Sequence, residues 1–339
     1  MPSGRTRSSA RVEYNRGLHL LGTVLWFDAP RRADLCFLSH AHFARPVPHR
    51  KILTTPTTAA LVRPRLHKAR TLLCPYHRSF ALGELGLMLV PAGHIAGSAQ
   101  LVVEHRAERI VYTGHFSLSS SRCAQAAEIP PADVLILHAM FEPRLRLPPR
   151  EEEESSLIEW VEKVLNAGEI PVFLCPETGK SQEIALLLLS RGFSIRAERR
   201  VLEACRRVEA ATGVGLSGVK RARSVPRPGE VLLAGPSRTA KARLRRNPRV
   251  RLAAASGWSL VPGFCEREGL DRAFAISLHA DFGMLERYLE ECSPRRVFLF
   301  GPGAGATAEI LSRRNREIRA LYAPEQLPLP LSRDSSVAS

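Results

Sequence analysis

Residues 34–42 read Asp-Leu-Cys-Phe-Leu-Ser-His-Ala-His, an apolar run that ends in two closely spaced histidines. Such a run predicts a buried strand that leads into a loop, where His40 and His42 can turn toward one cation. A third histidine, His94, lies in residues 92–99, between glycines that permit a tight turn. Three neutral imidazoles at strand ends are the ligands of a zinc ion with one open position. Any one of them could be an isolated loop residue, but the pair and the third histidine together favour metal binding.

The remaining pattern predicts two kinds of α/β structure along the chain. Residues 80–90 and 100–112 alternate as hairpins do, with short turns between the predicted strands. From residue 151 an acidic helix start is followed by a strand at 171–175 and a helix at about 181–190. This βαβ-like alternation predicts a second domain with its own parallel sheet. We therefore predict one domain from residues 1–150 and 272–323, an inserted domain over 151–271, and a flexible tail over 324–339.

The charge balance favours a polyanionic partner. Lys and Arg number 49 against 33 Asp and Glu, which gives a formal net charge of +16. Residues 220–251 contain eleven Lys or Arg and one acid, Glu230. Nucleic acid is the first candidate partner for such an excess, although an arginine-rich composition with solvated faces would also produce it. The candidate phosphate contacts are Lys180, Lys241, Arg243, Arg245 and Arg246.

Several other classes of protein are disfavoured. The longest apolar stretches are too short to span a bilayer, so no membrane partner is expected. The basic N-terminal residues lack the apolar centre of a secretory signal. The seven cysteines are scattered and form no C-x-x-C pair, which indicates buried thiols in a reducing compartment. The expected location is the cytoplasm.

Several segments together resemble the motifs of metallo-β-lactamase-fold nucleases of the β-CASP type. Residues 39–45, 91–99, 111–117 and 137–141 resemble, in order, H-x-H-x-D-H, the third histidine motif, Y-T/S-G-D-F/Y-S and the strand ending in E-S/A-T-Y/F. Residues 179–183 resemble the β-CASP helix start, and residues 255–258 and 277–282 resemble segments of bacterial ligase-associated DNA exonucleases. The resemblance implies a metallo-β-lactamase αββα sandwich with an inserted β-CASP α/β domain, and a zinc-dependent nuclease ancestry.

The resemblance also implies that half of a two-metal site is missing. His40, His42 and His94 match the ligands of the first ion. Where the family has further ligands and an acid that orients the catalytic histidine, this chain has Ala44, Arg45, His115, His138 and Gly301. Losing two carboxylates and gaining an arginine removes the negative charge that would offset a second dication. We therefore expect one zinc ion at most, with His115 as its fourth ligand or near neighbour.

Two functions follow from this half-preserved site. In the first, the chain binds nucleic acid and has weak or lost phosphodiesterase activity, with DNA favoured over RNA and a DNA ligase or helicase as partner. In the second, it is an active single-zinc hydrolase in which Arg45 binds the scissile phosphate in place of the second metal. His279 matches the family's general-acid histidine, but His138 replaces the acid that would orient it. A scaffold without affinity for nucleic acid is a third, weaker hypothesis.

Overall fold

The computed structural model describes residues 11–14, 17–42, 47–62, 70–223, 227–312 and 317–321. The chain divides into two compact units, and the second interrupts the first in sequence. The first unit is built from Met1–Leu145 and His279–Ala323, and the second contains Arg146–Leu278. Arg45, Ala44 and the predicted tail over 324–339 lie outside the described residues. None of the helices described is long and apolar enough to cross a membrane.

The first unit contains two mixed β-sheets. The first sheet has six strands in sequence order: β1 (Val12–Tyr14), β2 (Leu18–Leu20), β3 (Leu25–Phe27), β4 (Leu35–Phe37), β5 (Lys51–Thr54) and β6 (Arg70–Leu73). The second sheet has seven: β7 (Phe80–Leu82), β8 (Leu85–Pro91), β9 (Ala99–His105), β10 (Glu108–Tyr112), β11 (Val134–His138), β18 (Arg296–Phe300) and β19 (Glu317–Ala320). The predicted hairpins are present as the antiparallel pairs β7–β8 and β9–β10.

These two sheets pack face to face because their strands alternate apolar residues inward. Their shared core contains Leu20, Phe27, Phe37, Leu89, Leu101, Tyr112 and Ile136. The outer face of the second sheet packs against α7 (Phe282–Cys292) and α8 (Ala304–Leu311). In the first sheet, α1 (Pro56–Val62) follows β5 and contacts β6. This arrangement is the αββα sandwich that the resemblance implied.

The second unit contains one parallel sheet of six strands. In spatial order these are β14 (Lys220–Arg221), β13 (Ile195–Ala197), β15 (Val231–Ala234), β12 (Ile170–Leu174), β16 (Val250–Ala255) and β17 (Arg272–Phe274). Its helices are α2 (Arg150–Asn166), α3 (Lys180–Leu189), α4 (Arg199–Thr212), α5 (Arg238–Leu244) and α6 (Phe264–Glu268), with a 3₁₀ helix over Gly257–Leu260. The parallel pairing agrees with the βαβ-like alternation in the sequence.

The limits of this unit differ from the predicted limits at both ends. The prediction placed residues from 272 onward in the first domain. Instead β17 pairs in parallel with β16, with Ala255 opposite Phe274, and so completes the sheet of the second unit. A strand of three residues with only Phe274 buried does not reveal its sheet, because so short a run shows no alternation that would fit one sheet better than the other.

Candidate metal centre

His40 and His42 lie on the loop that follows β4 in the first unit. The backbone N–H of Leu38 still donates to the carbonyl of Leu53 on β5, so the chain leaves the sheet only at Ser39. His40 is buried and His42 is exposed. Their ring centroids are 5.1 Å apart and the rings are nearly perpendicular, at 85°. The loop therefore brings both rings to one point from different directions.

A buried hydrogen-bonded chain orients the His40 ring. The Ser39 hydroxyl donates to Oδ2 of Asp28 at 2.5 Å, and the Ser39 backbone N–H donates to Oδ1 at 2.8 Å. Because its proton is committed to Asp28, Oγ of Ser39 is free to accept from Nδ1 of His40, 2.7 Å away. This assignment leaves the lone pair of His40 on Nε2, and hydrogen bonds of this kind fix the tautomer of metal-binding histidines.

Asp28 itself is held from the loop after β4 and from β10. Besides Ser39, the hydroxyl of Tyr112 on β10 donates to its Oδ2 at 2.9 Å. Burial raises the pKa of Asp28 to about 6, although the hydrogen bonds from Ser39 and Tyr112 oppose this rise. The carboxyl group therefore serves as an acceptor behind His40 and is absent from the set of possible ligands.

Glycines shape the turn that carries His94. Gly93 has a φ of 72°, and a Cβ there would lie 2.1 Å from the carbonyl oxygen of Ser117, so no other residue fits. Oγ of Ser98 accepts the backbone N–H groups of His94 and Ile95 at 3.1 Å. The buried His94 ring is thereby placed with Nε2 3.1 Å from Nδ1 of His42.

His115 completes a group of four histidines. It follows Gly114, whose φ of 55° and close approach to Ser39 also exclude a side chain. The ring of His115 lies 4.6 Å from that of His40, measured between centroids. One ligand atom from each of His40, His42, His94 and His115 lies within 4.8 Å of the others. In the part of the chain that the structure describes, this is the only such group of three or more potential ligands.

The donor set fits a single cation. Burial is the main cause that lowers the pKa values of His40 and His115 well below the usual range, and the neighbouring imidazoles add to it. Neutral imidazole is the form that binds a metal. Zinc–nitrogen bonds of about 2.0–2.1 Å in a tetrahedron separate the nitrogens by roughly 3.3 Å. The 3.1 Å between the His42 and His94 nitrogens is close to that separation.

The other predicted site histidines also lie beside this group. His138, at the end of β11, is buried with its ring centroid 4.1 Å from that of His115, and burial lowers its pKa to about 3. Nε2 of His279 is 3.3 Å from Nδ1 of His115. At Gly301 the φ is 101°, and a Cβ would lie 2.7 Å from both Nε2 of His138 and the carbonyl oxygen of Ala139. The His138 ring thus occupies the space into which a side chain at 301 would project.

The predicted phosphate contacts in the second unit are mostly engaged with protein groups. Lys180 is buried and its ammonium donates to the carbonyl of Ile276 at 2.5 Å. Three of the other four cations pair with acids: Lys241 with Glu268, Arg243 with Glu198, and Arg245 with Asp271. Arg246 is exposed. Local charge density in the sequence did not reveal these acids, since each lies at least 26 residues from its partner.

Two site residues were missed by the sequence analysis. Ser39 was quoted only as part of a motif, although its position beside His40 was a signal for a ring partner. Asp28 gave no signal in spacing, because it lies 11 residues before Ser39 and on a different strand end. Its φ of 41°, unusual for a residue other than glycine, is visible only in the structure.

Comparison with known proteins gives matches to nucleic-acid enzymes, while no protein-family profile matches the chain. A probable DNA ligase of Opitutus terrae is 31% identical over 322 residues, which cover 94% of this chain and 32% of that protein. Cleavage and polyadenylation specificity factor 73 of Drosophila melanogaster is 36% identical over 102 residues, which cover 29% of this chain and 14% of that protein. Endoribonuclease YSH1 of Gibberella zeae is 31% identical over 119 residues, which cover 33% of this chain and 14% of that protein. The chain thus spans a third or less of the length of each relative.

Sequence motifs, fold and relatives converge. The histidines that the motifs singled out lie together at the strand ends of an αββα sandwich, and a second α/β unit interrupts that sandwich in sequence. The relatives include a probable DNA ligase that is similar over nearly the whole of this chain, and a cleavage and polyadenylation specificity factor and an endoribonuclease that match part of it. The chain belongs to the β-CASP family of metallo-β-lactamase-fold proteins.

Proposed function

We propose that this chain is a nucleic-acid-binding β-CASP protein with one zinc ion and with weak or lost phosphodiesterase activity. The zinc ligands in this proposal are His40, His42, His94 and His115. The observation that carries it is the composition of the group: four imidazoles lie within 4.8 Å of one another, and no carboxylate belongs to the set. Four imidazoles complete a tetrahedron, and a complete tetrahedron is typical of a structural zinc site.

The same composition argues against a second ion. Paired catalytic metals lie roughly 3.5–4 Å apart and need anionic ligands to offset their combined charge. Around this cluster the additional side chains are again imidazoles, His138 and His279, and burial lowers the pKa of His138 to about 3. At Gly301 there is no room for a further ligand. A two-metal hydrolytic site therefore has little support from the described residues.

An active single-zinc hydrolase is the second candidate, and one contact favours it. Nδ1 of His115 lies 3.3 Å from Nε2 of His279, so His115 has a possible partner other than the metal. Where Nδ1 is the nitrogen of His115 that faces the ion, keeping that partner leaves three histidines as ligands, and a zinc ion would have an open position at which it can polarise a phosphate or a water. Arg45 belongs to this hypothesis as the phosphate-binding cation. Its position lies outside the described residues.

The choice of DNA over RNA rests on the relatives. The protein named probable DNA ligase contains a segment similar to 94% of this chain, and that segment is about a third of its length. Because this similar segment is part of a protein named as a ligase, we propose a DNA ligase as a partner of this chain. A helicase is the second proposed partner. The other two relatives act in RNA processing by name, so RNA is the competing substrate. All seven cysteines are free thiols, which supports a cytoplasmic location.

The test measures zinc per chain, binding of labelled single-stranded DNA and RNA, and cleavage of both, for the purified chain and two variants. His42→Ala removes a proposed ligand. His77→Ala, at an exposed histidine that pairs with Glu128, is the matched control. We expect one zinc per chain, salt-dependent binding and little cleavage, with zinc lost only in His42→Ala. Zinc-dependent cleavage abolished by His42→Ala would instead establish the single-zinc hydrolase. Absence of binding to either nucleic acid would refute both functions.

A further inference from the structure

The edge of the parallel sheet in the second unit carries basic side chains on one face. The edge strand β14 pairs in parallel with β13, with Lys220 opposite Arg196. Residues opposite each other on neighbouring strands point to the same face of a sheet. On β15 the residue opposite Arg196 is Leu232, which belongs to the apolar core of that face. The face therefore changes from apolar to basic as it approaches the edge.

A recess opens at this change. Ile170 and Leu232 form its apolar floor, and Arg196, Arg223, Arg227 and Glu230 line its sides. The recess is shallow and encloses only about 10 Å³. That is about the space of one water molecule, so the recess can take at most one group of a larger ligand.

The guanidinium groups of the recess are incompletely neutralised. Glu230 accepts from Nε of Arg196 at 2.9 Å, and Nη2 of Arg223 is 4.0 Å from the same carboxylate. No carboxylate of the described residues lies within ion-pair distance of Arg227 or of the neighbouring Lys220. Among the residues that line the recess, one acid thus faces three arginines. The charge that remains is positive and is presented by forked donors that match phosphate geometry.

The rest of the basic stretch contrasts with this recess. Lys241, Arg243, Arg245 and Arg251 each pair with an acid, respectively Glu268, Glu198, Asp271 and Glu169. Arg246 and Arg249 are exposed on the turn before β16, and neither lines the recess. The recess at the sheet edge therefore combines incompletely neutralised arginines with a concave surface.

We propose that Arg223 and Arg227 bind a backbone phosphate of single-stranded nucleic acid in this recess. The inference rests on the proposed function, since it assumes that the chain binds nucleic acid. Arg196 stays paired with Glu230 and fixes that wall, while Arg223 and Arg227 supply the donors. The competing explanation is that basic residues on an edge strand only prevent pairing with another sheet.

The test compares two double variants of the full chain. Arg223→Gln/Arg227→Gln removes the proposed contacts. Arg243→Gln/Arg245→Gln removes equal charge from the same unit, but from residues that already pair with acids. The affinity of each for a labelled single-stranded DNA and for an RNA of the same sequence is measured over a range of salt concentrations. The slope of log affinity against log salt falls by about 0.7 for each single-strand phosphate contact that is lost.

We expect the Arg223/Arg227 variant to bind more weakly with a shallower slope, and the Arg243/Arg245 variant to keep the slope of the unmodified chain. Equal slopes for all three proteins would overturn the inference while leaving nucleic-acid binding intact. An unchanged slope with new self-association in sedimentation would assign the arginines to protection of the edge. Inorganic phosphate that competes with DNA at equal molar concentration would overturn the assignment to a nucleic-acid backbone. If the unmodified chain binds neither DNA nor RNA, the proposed function fails as well.

Discussion

The histidine cluster of the first unit and the basic stretch over residues 220–251 of the second both concentrate one kind of side chain, but their neighbours differ. The imidazoles face one another, and no acid belongs to the group. In the basic stretch, Lys241, Arg243, Arg245 and Arg251 are paired with acids from elsewhere in the unit. A ligand site is therefore better identified by groups without compensation than by the number of groups of one type. The experiments below test that distinction in each region.

The largest effect is expected from removing a buried histidine of the metal group. His94→Ala removes a proposed ligand whose turn is fixed by Gly93 and Ser98. We expect it to reduce bound zinc from one per chain to near zero, because a lost ligand should cost more than the roughly 10–100-fold that a lost outer partner costs. Zinc content is measured by mass spectrometry of the native protein.

His138→Ala is the matched control, since His138 is equally buried beside the cluster but lies outside the group of ligands. It should retain one zinc. A complete loss of zinc in both variants would show that the cluster acts as one unit of five or six histidines, and the distinction between ligands and neighbours would fall.

The placement of these histidines on turns at strand ends was predictable because it depends on local geometry. His40 and His42 are separated by one residue, and the turn at His94 is fixed by its own glycines and by Ser98. The neighbours behind and around them were less predictable. Asp28 reaches His40 only through Ser39, and the packing of His138 against Gly301 joins two strands 162 residues apart in their numbering. The strand register that creates both contacts is a tertiary property.

The fold shows the same division. Alternating apolar residues predicted the hairpins β7–β8 and β9–β10, and βαβ-like spacing predicted the parallel sheet. The assignment of β17 to a sheet failed, because a three-residue strand in which only Phe274 is buried has too little pattern to reveal its sheet. The ion pairs of the basic stretch could not be foreseen at all, since Glu169 and Glu198 lie 82 and 45 residues from their arginines.

The next largest effect is expected on the pH dependence of folding stability, and it comes from Lys180. This lysine contributes to the formal net charge of the sequence, but its side chain is buried in the structure. Burial lowers its pKa to about 7, although the nearby Glu183 opposes this. Between pH 7 and about 10 the unfolded chain keeps this lysine protonated while the folded chain does not, so unfolding takes up a proton. The stability of the folded state should therefore rise with pH in this range, by up to about 4 kcal/mol at 1.36 kcal/mol for each pKa unit.

Lys180→Met removes this titration and should flatten the curve. The free energy of unfolding in urea is measured at pH 7, 8.5 and 10 for both proteins, and the difference between their slopes isolates Lys180 from other groups that titrate. Parallel curves would mean that Lys180 stays protonated in the folded state and belongs with the paired cations.

Ser39→Ala tests the hydrogen bonds that link His40 to Asp28, and its expected effect is smaller. Without Oγ, Nδ1 of His40 loses its acceptor and the Asp28 carboxyl loses one of its three donors. We expect zinc affinity to fall by about 10–100-fold without loss of stoichiometry at saturating zinc. Competition with a fluorescent chelator measures the affinity. Ser190→Ala, which removes a hydroxyl donating to Leu187 in the second unit, is the control. Equal affinities in all three proteins would show that His40 is oriented by packing alone.

Arg243→Gln should have the smallest effect, and it tests whether the ion pairs of the basic stretch mainly neutralise charge. Arg243 pairs with Glu198, and their side chains are 61% and 25% exposed. Exposed pairs of this kind contribute about 0.2–1 kcal/mol, because solvent screens them and two long side chains must be held in place. We expect a loss of stability within that range in urea unfolding. Glu198 also accepts from the backbone N–H of Gly235, so this carboxylate keeps a partner after the substitution. A loss above about 2 kcal/mol would instead make the pair a structural element that the fold requires. The contrast with the incompletely neutralised Arg223 and Arg227 would then reflect folding as much as ligand binding.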